Sequence, residues 1–261
     1  MSAKLARVFQ LRFTTLVEAP LTVAFDVARS LGRPWGHPLR EVVSERPWRD
    51  VYEAGPESGW RTLVHTRQFS ATGSGTRVDE QVEWDTALPG ALGGLVDRAV
   101  LRGRIVRAMQ AHLDAFSAAA ARKALDVTQV VGGALVDDRR RVLVAQRGSG
   151  PLAGFWEFPG GKVEPGESDL SALVRECTEE LGVQVRPQAF LGEVPLDGVV
   201  AGGAPGASTL RVWWGRIVAG ELVAHEHTEL RWLGADELED LDWIAADRPL
   251  LPAVRTLLAT L

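Results

Sequence analysis

The segment Gly160–Val183 reads GGKVEPGESDLSALVRECTEELGV and holds six acidic residues. Three of them, Glu176, Glu179 and Glu180, crowd the end of one short predicted helix. Like charges at helical-neighbour spacing repel and cost stability, so something positive is expected to offset them. Ser168 is a good N-cap for this helix and Gly182 a good C-terminal stop. At about 100° per residue, Leu170, Val174, Cys177 and Leu181 fall on one side, the predicted core face. Glu176, Glu179 and Glu180 fall opposite, within an arc of roughly 100°. Three carboxylates beside a Gly-rich loop with free backbone carbonyls make a candidate site for a hard cation. Mg²⁺ or Mn²⁺ prefers oxygen ligands, and Mg²⁺ commonly bridges protein carboxylates and substrate phosphates. Arg175 precedes Glu179 by four residues and can hold it in place. From the helix alone, a merely solvated acidic face stays an alternative.

The surrounding chain sets the frame. It has 261 residues, 46% of them hydrophobic, which is enough for one large domain or two ordinary ones with full cores. A formal net charge of -5 argues against a nucleic-acid polymer as partner. Cys177 is the single cysteine, so no intramolecular disulfide can form, which fits a reducing cytoplasm. The N-terminal segment has no signal-peptide h-region, and no apolar run approaches the roughly 20 residues needed to span a bilayer. The expectation is a soluble, cytoplasmic protein without a membrane span.

Two units are predicted. In the first, residues 7–17 read as a loosely alternating strand and residues 21–31 as a helix with Leu21, Ala24, Phe25, Ala28 and Leu31 inward. Short β-like runs follow between Glu41 and Thr86, separated by turn clusters such as GPESG and TGSG. A long amphipathic helix then runs through Val106, Met109, Leu113 and Phe116, with Arg102 on its apolar side. In the second unit, VTQVVGGALVD and RVLVAQR read as a hairpin across residues 137–140. Further strands fall in AFLGEVPL, TLRVWWGRIVAGEL and HTELRWL, and closing helices at 235–241 and 250–261.

Gly161, Glu167 and the run Arg175-Glu176-Cys177-Thr178-Glu179-Glu180-Leu181-Gly182-Val183 resemble a complete Nudix box, Gly-x5-Glu-x7-Arg-Glu-U-x-Glu-Glu-x-Gly-U with U a bulky apolar residue. Cys177 at a U position is a mild substitution, since a buried thiol behaves as a small hydrophobe. The resemblance implies an α/β/α sandwich Nudix fold over residues 126–261. It also implies hydrolysis of a nucleoside diphosphate linked to some moiety X, with Mg²⁺ or Mn²⁺ as cofactor. By the same resemblance Glu176, Glu179 and Glu180 are the metal ligands and Glu176 doubles as general base. The Gly160 carbonyl is a further ligand, and Glu167 and Arg175 brace loop and helix. Lys162 is a candidate phosphate contact, with a solvated lysine as the alternative.

The flanks WEFPGGKVEPGE and RWLGADELEDLDWIAADRPLL resemble the MutT-like nucleoside triphosphate pyrophosphohydrolases. That narrower resemblance implies release of pyrophosphate from a nucleoside triphosphate, in nucleotide-pool sanitation. It adds Glu226 as a metal ligand and Asp247 as a reader of the base. Arg147 and Phe158 are candidate contacts to base or phosphate, against a solvated arginine and a core phenylalanine. In 8-oxoguanine-directed members the residue matching Asp247 is an asparagine. An ionised Asp only accepts hydrogen bonds, so a cytidine-type triphosphate is favoured, with a helix-capping role for Asp247 as the alternative. Rival readings are a hydrolase of another NDP-X, such as a dinucleotide or nucleotide sugar, and a ligand sensor with a nucleotide-binding Nudix module.

The first unit resembles the SRPBCC (START-like, polyketide cyclase-like) helix-grip fold more loosely, through TTLVEAPLTVAFDVA, GTRVDEQVEW and the long helix after Leu88. This implies an α+β domain over residues 1–122 and a small hydrophobic ligand between sheet and helix. The connection between Leu31 and Trp60 is short for that family, which implies a lost strand and a reduced cavity. His65 and His112 show no clear partner in the sequence.

Overall fold

The computed structural model describes residues 8–54, 62–85, 90–196 and 208–261. The turn cluster read at 55–59 and the first residues of the strand read from Trp60 lie outside these. The chain divides into two compact units, Met1–Ala124 and Leu125–Leu261.

In the first unit, β1 (Phe9–Val17) precedes α1 (Leu21–Leu31), and β2 (Leu39–Glu45), β3 (Arg49–Ala54), β4 (Thr62–Thr72) and β5 (Gly75–Asp85) follow. The strands form one antiparallel sheet in the order β1-β5-β4-β3-β2. The segment expected to be short of a strand therefore carries two. β1 and β5 alternate between inward and outward residues, as a sheet with one covered face requires. Leu63, Val82 and Trp84 of that face pack on Ile105, Met109 and Leu113 of α3 (Arg102–Ala124). Before α3 come a short helix α2 (Gly90–Val96) and one π turn, Asp97–Leu101. A π turn holds an extra residue and so rotates everything after it. Arg102, expected on the apolar side, is exposed, and Ile105 rather than Val106 faces the core. Leu31 likewise ends up exposed at the last turn of α1.

Charge is buried inside this unit. Arg67 and Asp50 are both fully buried and form a two-pronged pair at 3.0 and 2.6 Å. Arg67 Nη1 also donates to the Ala28 carbonyl at 2.7 Å, tying α1 to the sheet. His65, expected to lack a partner, has two. Its Nδ1 accepts from Trp35 Nε1, so the proton sits on Nε2, which donates to Glu80 at 2.6 Å. Burial pulls the His65 pKa down, keeping the ring neutral.

The second unit holds β6 (Thr128–Leu135), β7 (Val142–Arg147), β8 (Trp156–Glu157), β9 (Gly160–Lys162), α4 (Asp169–Leu181), β10 (Val183–Pro195), β11 (Ser208–Gly220), β12 (His227–Leu233) and α5 (Leu251–Thr260). One sheet runs β10-β11-β6-β9 and the other β12-β7-β8. The expected hairpin is not formed. Both edges of β6 are taken, by β11 in parallel and by β9, so β7 joins the other sheet and only a bridge from Val136 to Val142 remains. The helix expected at 235–241 is one 3₁₀ turn, Leu238–Asp240.

Successive residues of β6 and β7 face opposite ways. Val131, Leu135 and Leu143 pack with Ala172, Leu173, Cys177 and Leu181 of α4. Ala134, Val136, Val142 and Val144 pack with Leu251, Val254 and Leu258 of α5. Sheets covered on both faces explain the near-continuous apolar runs. Each fully buried Leu contributes roughly 1.5–3 kcal/mol, so α4 is fixed by its back while its front stays polar.

Removing Asp50 leaves Arg33 and Arg67 facing each other in the interior. Asp50→Ala is expected to destabilise the first unit by about 3–5 kcal/mol. Urea unfolding followed by tryptophan fluorescence checks this, and a loss under about 1 kcal/mol would mean the pair is not held as described.

Candidate functional site

The site is built on the loop Gly160–Ser168 and the polar face of α4. Ser168 caps the helix by accepting from the Ser171 amide at 3.2 Å, and Gly182 ends it at φ 69°. Arg175 then uses its whole fork. It grips Glu167 with two bonds of 3.1 and 3.0 Å, donates to the Lys162 carbonyl at 3.0 Å, and reaches Glu176 at 2.9 Å and Glu179 at 3.2 Å. This guanidinium is the positive partner that the acidic helix called for. Its hydrogen bonds to Glu167 come first among the causes that raise its own pKa and hold Glu167 below the usual carboxylate range.

The loop passes close over the helix. A Cβ on Gly161 would collide with the Glu176 carboxylate, and one on Gly160, at φ 150°, with the Val131 carbonyl. Only glycines allow this approach. The Gly160 amide donates to Glu180 at 3.1 Å. Burial raises the Glu176 pKa against the pull of Arg175. Burial likewise pushes Glu180 up to about 7, with His227 opposing.

A cavity of about 390 Å³ opens here. Glu176, Glu180, Gly160, Gly161 and Lys162 line one side, and Arg147 and Glu226 another. Phe158 and Asp247 line its apolar end. Glu167, Arg175 and Glu179 are absent from the lining. Glu167 and Arg175 form the brace behind it, and the Glu179 side chain is 57% exposed on the Arg175 side. Among the described residues no group of three or more His, Cys, Asp or Glu side chains stands in metal-ligand arrangement. Arg175 draws Glu176 and Glu179 onto itself, while Glu180 turns to the Gly160 amide.

Two lining residues escape a reading of the sequence. Glu157 pairs with Arg147 at 2.9 Å and lies 3.5 Å from His227. Arg147 and His227 are register partners across β7 and β12, and β8 adds Glu157 from the other edge of β7. The motifs WEF and HEH contain both residues, but nothing local says that they meet. Phe158 is both core and lining: it is buried against Trp243, with ring centroids 5.0 Å apart, and faces the cavity.

Asp247 corrects an expectation. It is buried and accepts from the Phe158 amide at 3.3 Å, and burial pushes its pKa up to about 8. Burial thus favours the protonated form, which donates as well as accepts. It works against the ionised, accept-only form on which the hydrogen-bond preference for cytosine rests. No side-chain cap bond to the following turn is formed either.

A raised folded-state pKa makes the unfolded chain release its proton first. Stability from this group is therefore full below pH about 4, falls as pH rises towards 8, and is level above. Asp247→Asn removes that slope. It is expected to melt above the parent at pH 8 and to converge with it near pH 4. A melting difference that does not change with pH would contradict the protonated state.

The NUDIX domain model matches residues 127–254. The chain is 46% identical over 120 residues to "Putative 8-oxo-dGTP diphosphatase 2" of Mycobacterium tuberculosis H37Rv, covering 46% of this chain and 82% of that protein. It is 38% identical over 130 residues to the CTP pyrophosphohydrolase of Escherichia coli K12, covering 49% and 93%. The solved E. coli ORF135 protein aligns at 35% identity and TM-score 0.43 over 51% of this chain and 91% of its own. The domain model spans the glycine loop, the arginine brace and the acidic helix, and the chain belongs to the Nudix family of hydrolases.

Proposed function

We propose that this chain is a nucleoside triphosphate pyrophosphohydrolase that releases pyrophosphate and a monophosphate, acting in the cytoplasm on a cytidine-type or oxidised nucleotide. The observation that carries this reading is the Arg175-braced loop and helix, which present Glu176 and Glu180 to a cavity of nucleotide size. The relatives named for 8-oxo-dGTP and CTP support the triphosphate class.

The donor set fits a hard divalent cation. Its candidate ligands, Glu176, Glu179, Glu180, Glu226 and the Gly160 carbonyl, are all oxygens. Burial raises the pKa of Glu176 and Glu180, a cost that a cation offsets. Mg²⁺ or Mn²⁺, when bound, neutralises phosphate charge and acidifies a water. In this reading Glu176 takes the proton of the attacking water, while Arg175 and Glu167 hold its carboxylate in line. Lys162 and Arg147 meet phosphate, and Phe158 stacks on the base. Asp247, protonated, offers the base edge both a donor and an acceptor, as an asparagine amide does.

We further propose a two-domain organisation, 1–122 and 126–261, the first an SRPBCC-like helix-grip domain for a small apolar ligand. The five-stranded antiparallel sheet packed on α3 through Ile105, Met109 and Leu113 supports it.

Pyrophosphate release with Mg²⁺ is expected from at least one of 8-oxo-dGTP, dCTP, CTP and 5-methyl-dCTP. Turnover of none of them, against turnover of a nucleotide sugar or dinucleotide, would replace this reading. Glu176→Gln is expected to lower kcat on the order of 10²–10⁴-fold with the fold intact by circular dichroism. Gly161→Ala displaces the Glu176 carboxylate and is expected to cost about 10²-fold in kcat. A variant at either position within a few-fold of the parent would overturn the assigned role.

A further inference from the structure

Glu157 is a carboxylate of the nucleotide-sized cavity that stands outside the candidate cation ligands. Strand register explains its place. Side chains alternate between the two faces of a strand, so cross-strand partners share a face, as do residues two apart. β8 sets Glu157 opposite Ala145 of β7, two residues before Arg147, and β12 sets His227 opposite Arg147. Glu157, Arg147 and His227 therefore share one face of the β12-β7-β8 sheet, and all three line the cavity.

The three are not equally free. Glu157 Oε2 accepts from Arg147 Nη1 at 2.9 Å, and Oε1 lies 3.5 Å from His227 Nε2. The Glu157 side chain is 17% exposed, whereas that of Arg147 keeps 39%. The bond from Nη1 is the one side-chain hydrogen bond of Arg147 among the described residues. Nε is buried and Nη2 is not, so the open part of the guanidinium includes Nη2. An exposed arginine samples several rotamers of its long stem, and ordering it on binding costs affinity. A charge-assisted hydrogen bond, about twice as strong as a neutral one, fixes the guanidinium before a ligand arrives. The same carboxylate also repels an incoming phosphate. Position and charge thus act in opposite directions at Glu157. Glutamine separates them, since its amide oxygen still accepts while the charge is gone.

We propose that Glu157 is a positioning residue, which pins Nη1 of Arg147 and leaves Nη2 turned to the phosphates of the substrate, with His227 backing it from β12. This rests on the reading of Arg147 as a phosphate contact of the pyrophosphohydrolase, and it adds the group that organises that contact in advance.

The test uses the full chain and two measurements. Steady-state pyrophosphate release with Mg²⁺ is followed on whichever of 8-oxo-dGTP, dCTP, CTP and 5-methyl-dCTP turns over fastest. Calorimetric titration with tripolyphosphate and Mg²⁺ reads phosphate binding without a base. Glu157→Ala is expected to raise KM, and to weaken tripolyphosphate, on the order of tenfold, with kcat changed by less than about threefold. Glu157→Gln is expected to stay within about threefold of the parent in each. In an Arg147→Ala background, itself about tenfold weaker or more, adding Glu157→Ala is expected to change KM by less than about twofold, because the two act as one. A merely structural role would make the two effects multiply, and that result overturns the proposal. So does tighter binding in both Glu157 variants, which would mean that repulsion outweighs position, or equal weakening in both. A Glu157→Ala variant indistinguishable from the parent overturns it as well. Should none of the four nucleotides turn over, the pyrophosphohydrolase reading falls and the tripolyphosphate series alone decides. A parent chain that does not bind tripolyphosphate in that case overturns both.

Discussion

One guanidinium holds the candidate active site together. Arg175 satisfies both oxygens of Glu167, one oxygen each of Glu176 and Glu179, and the Lys162 carbonyl. Without it, three carboxylates and a loop would have to share one helical face with nothing to offset their repulsion. Arginine suits this place because its planar fork offers five donors in fixed directions, where lysine offers a single point charge. The loop is thereby pinned to the helix at both of its ends.

The brace acts only because α4 cannot move. Leu173, Cys177 and Leu181 are fully buried under the sheet, and Ser168 and Gly182 set the ends of the helix. The opposite face of the sheet rests on α5 and Trp243, and Asp247 sits at that end of the cavity. The polar end of the cavity is thus carried by one helix layer and the end that holds Asp247 by the other. A sheet covered on both sides is what keeps the two ends at a constant separation.

The two units treat buried charge differently. In the second, buried carboxylates keep only partial compensation, and the pKa values of Glu176, Glu180 and Asp247 all rise. Such groups are those that change protonation or take up a cation on binding. In the first, Asp50 is countered by Arg67 and Arg33, and Glu80 accepts a hydrogen bond from the neutral His65, which serves the fold.

The acidic helix, its caps and the Gly161-to-Val183 spacing were legible in the sequence by itself, as were Cys177 and Leu181 of its core face, whereas Ala172 and Leu173 are buried ahead of the expected Leu170 and Val174. Each depends on residues within about two dozen positions, where helical periodicity and capping chemistry act directly. The split of β6 and β7 into different sheets was not legible, because it turns on which distant strand claims each edge. Nor was the meeting of Arg147, Glu157 and His227, which come from three strands brought into register. His65 looked solitary until β4 and β5 paired and set it beside Glu80. The burial that favours a protonated Asp247 was the furthest from view. Whether a carboxyl is ionised depends on how completely water is excluded around it, and only the packed tertiary structure decides that.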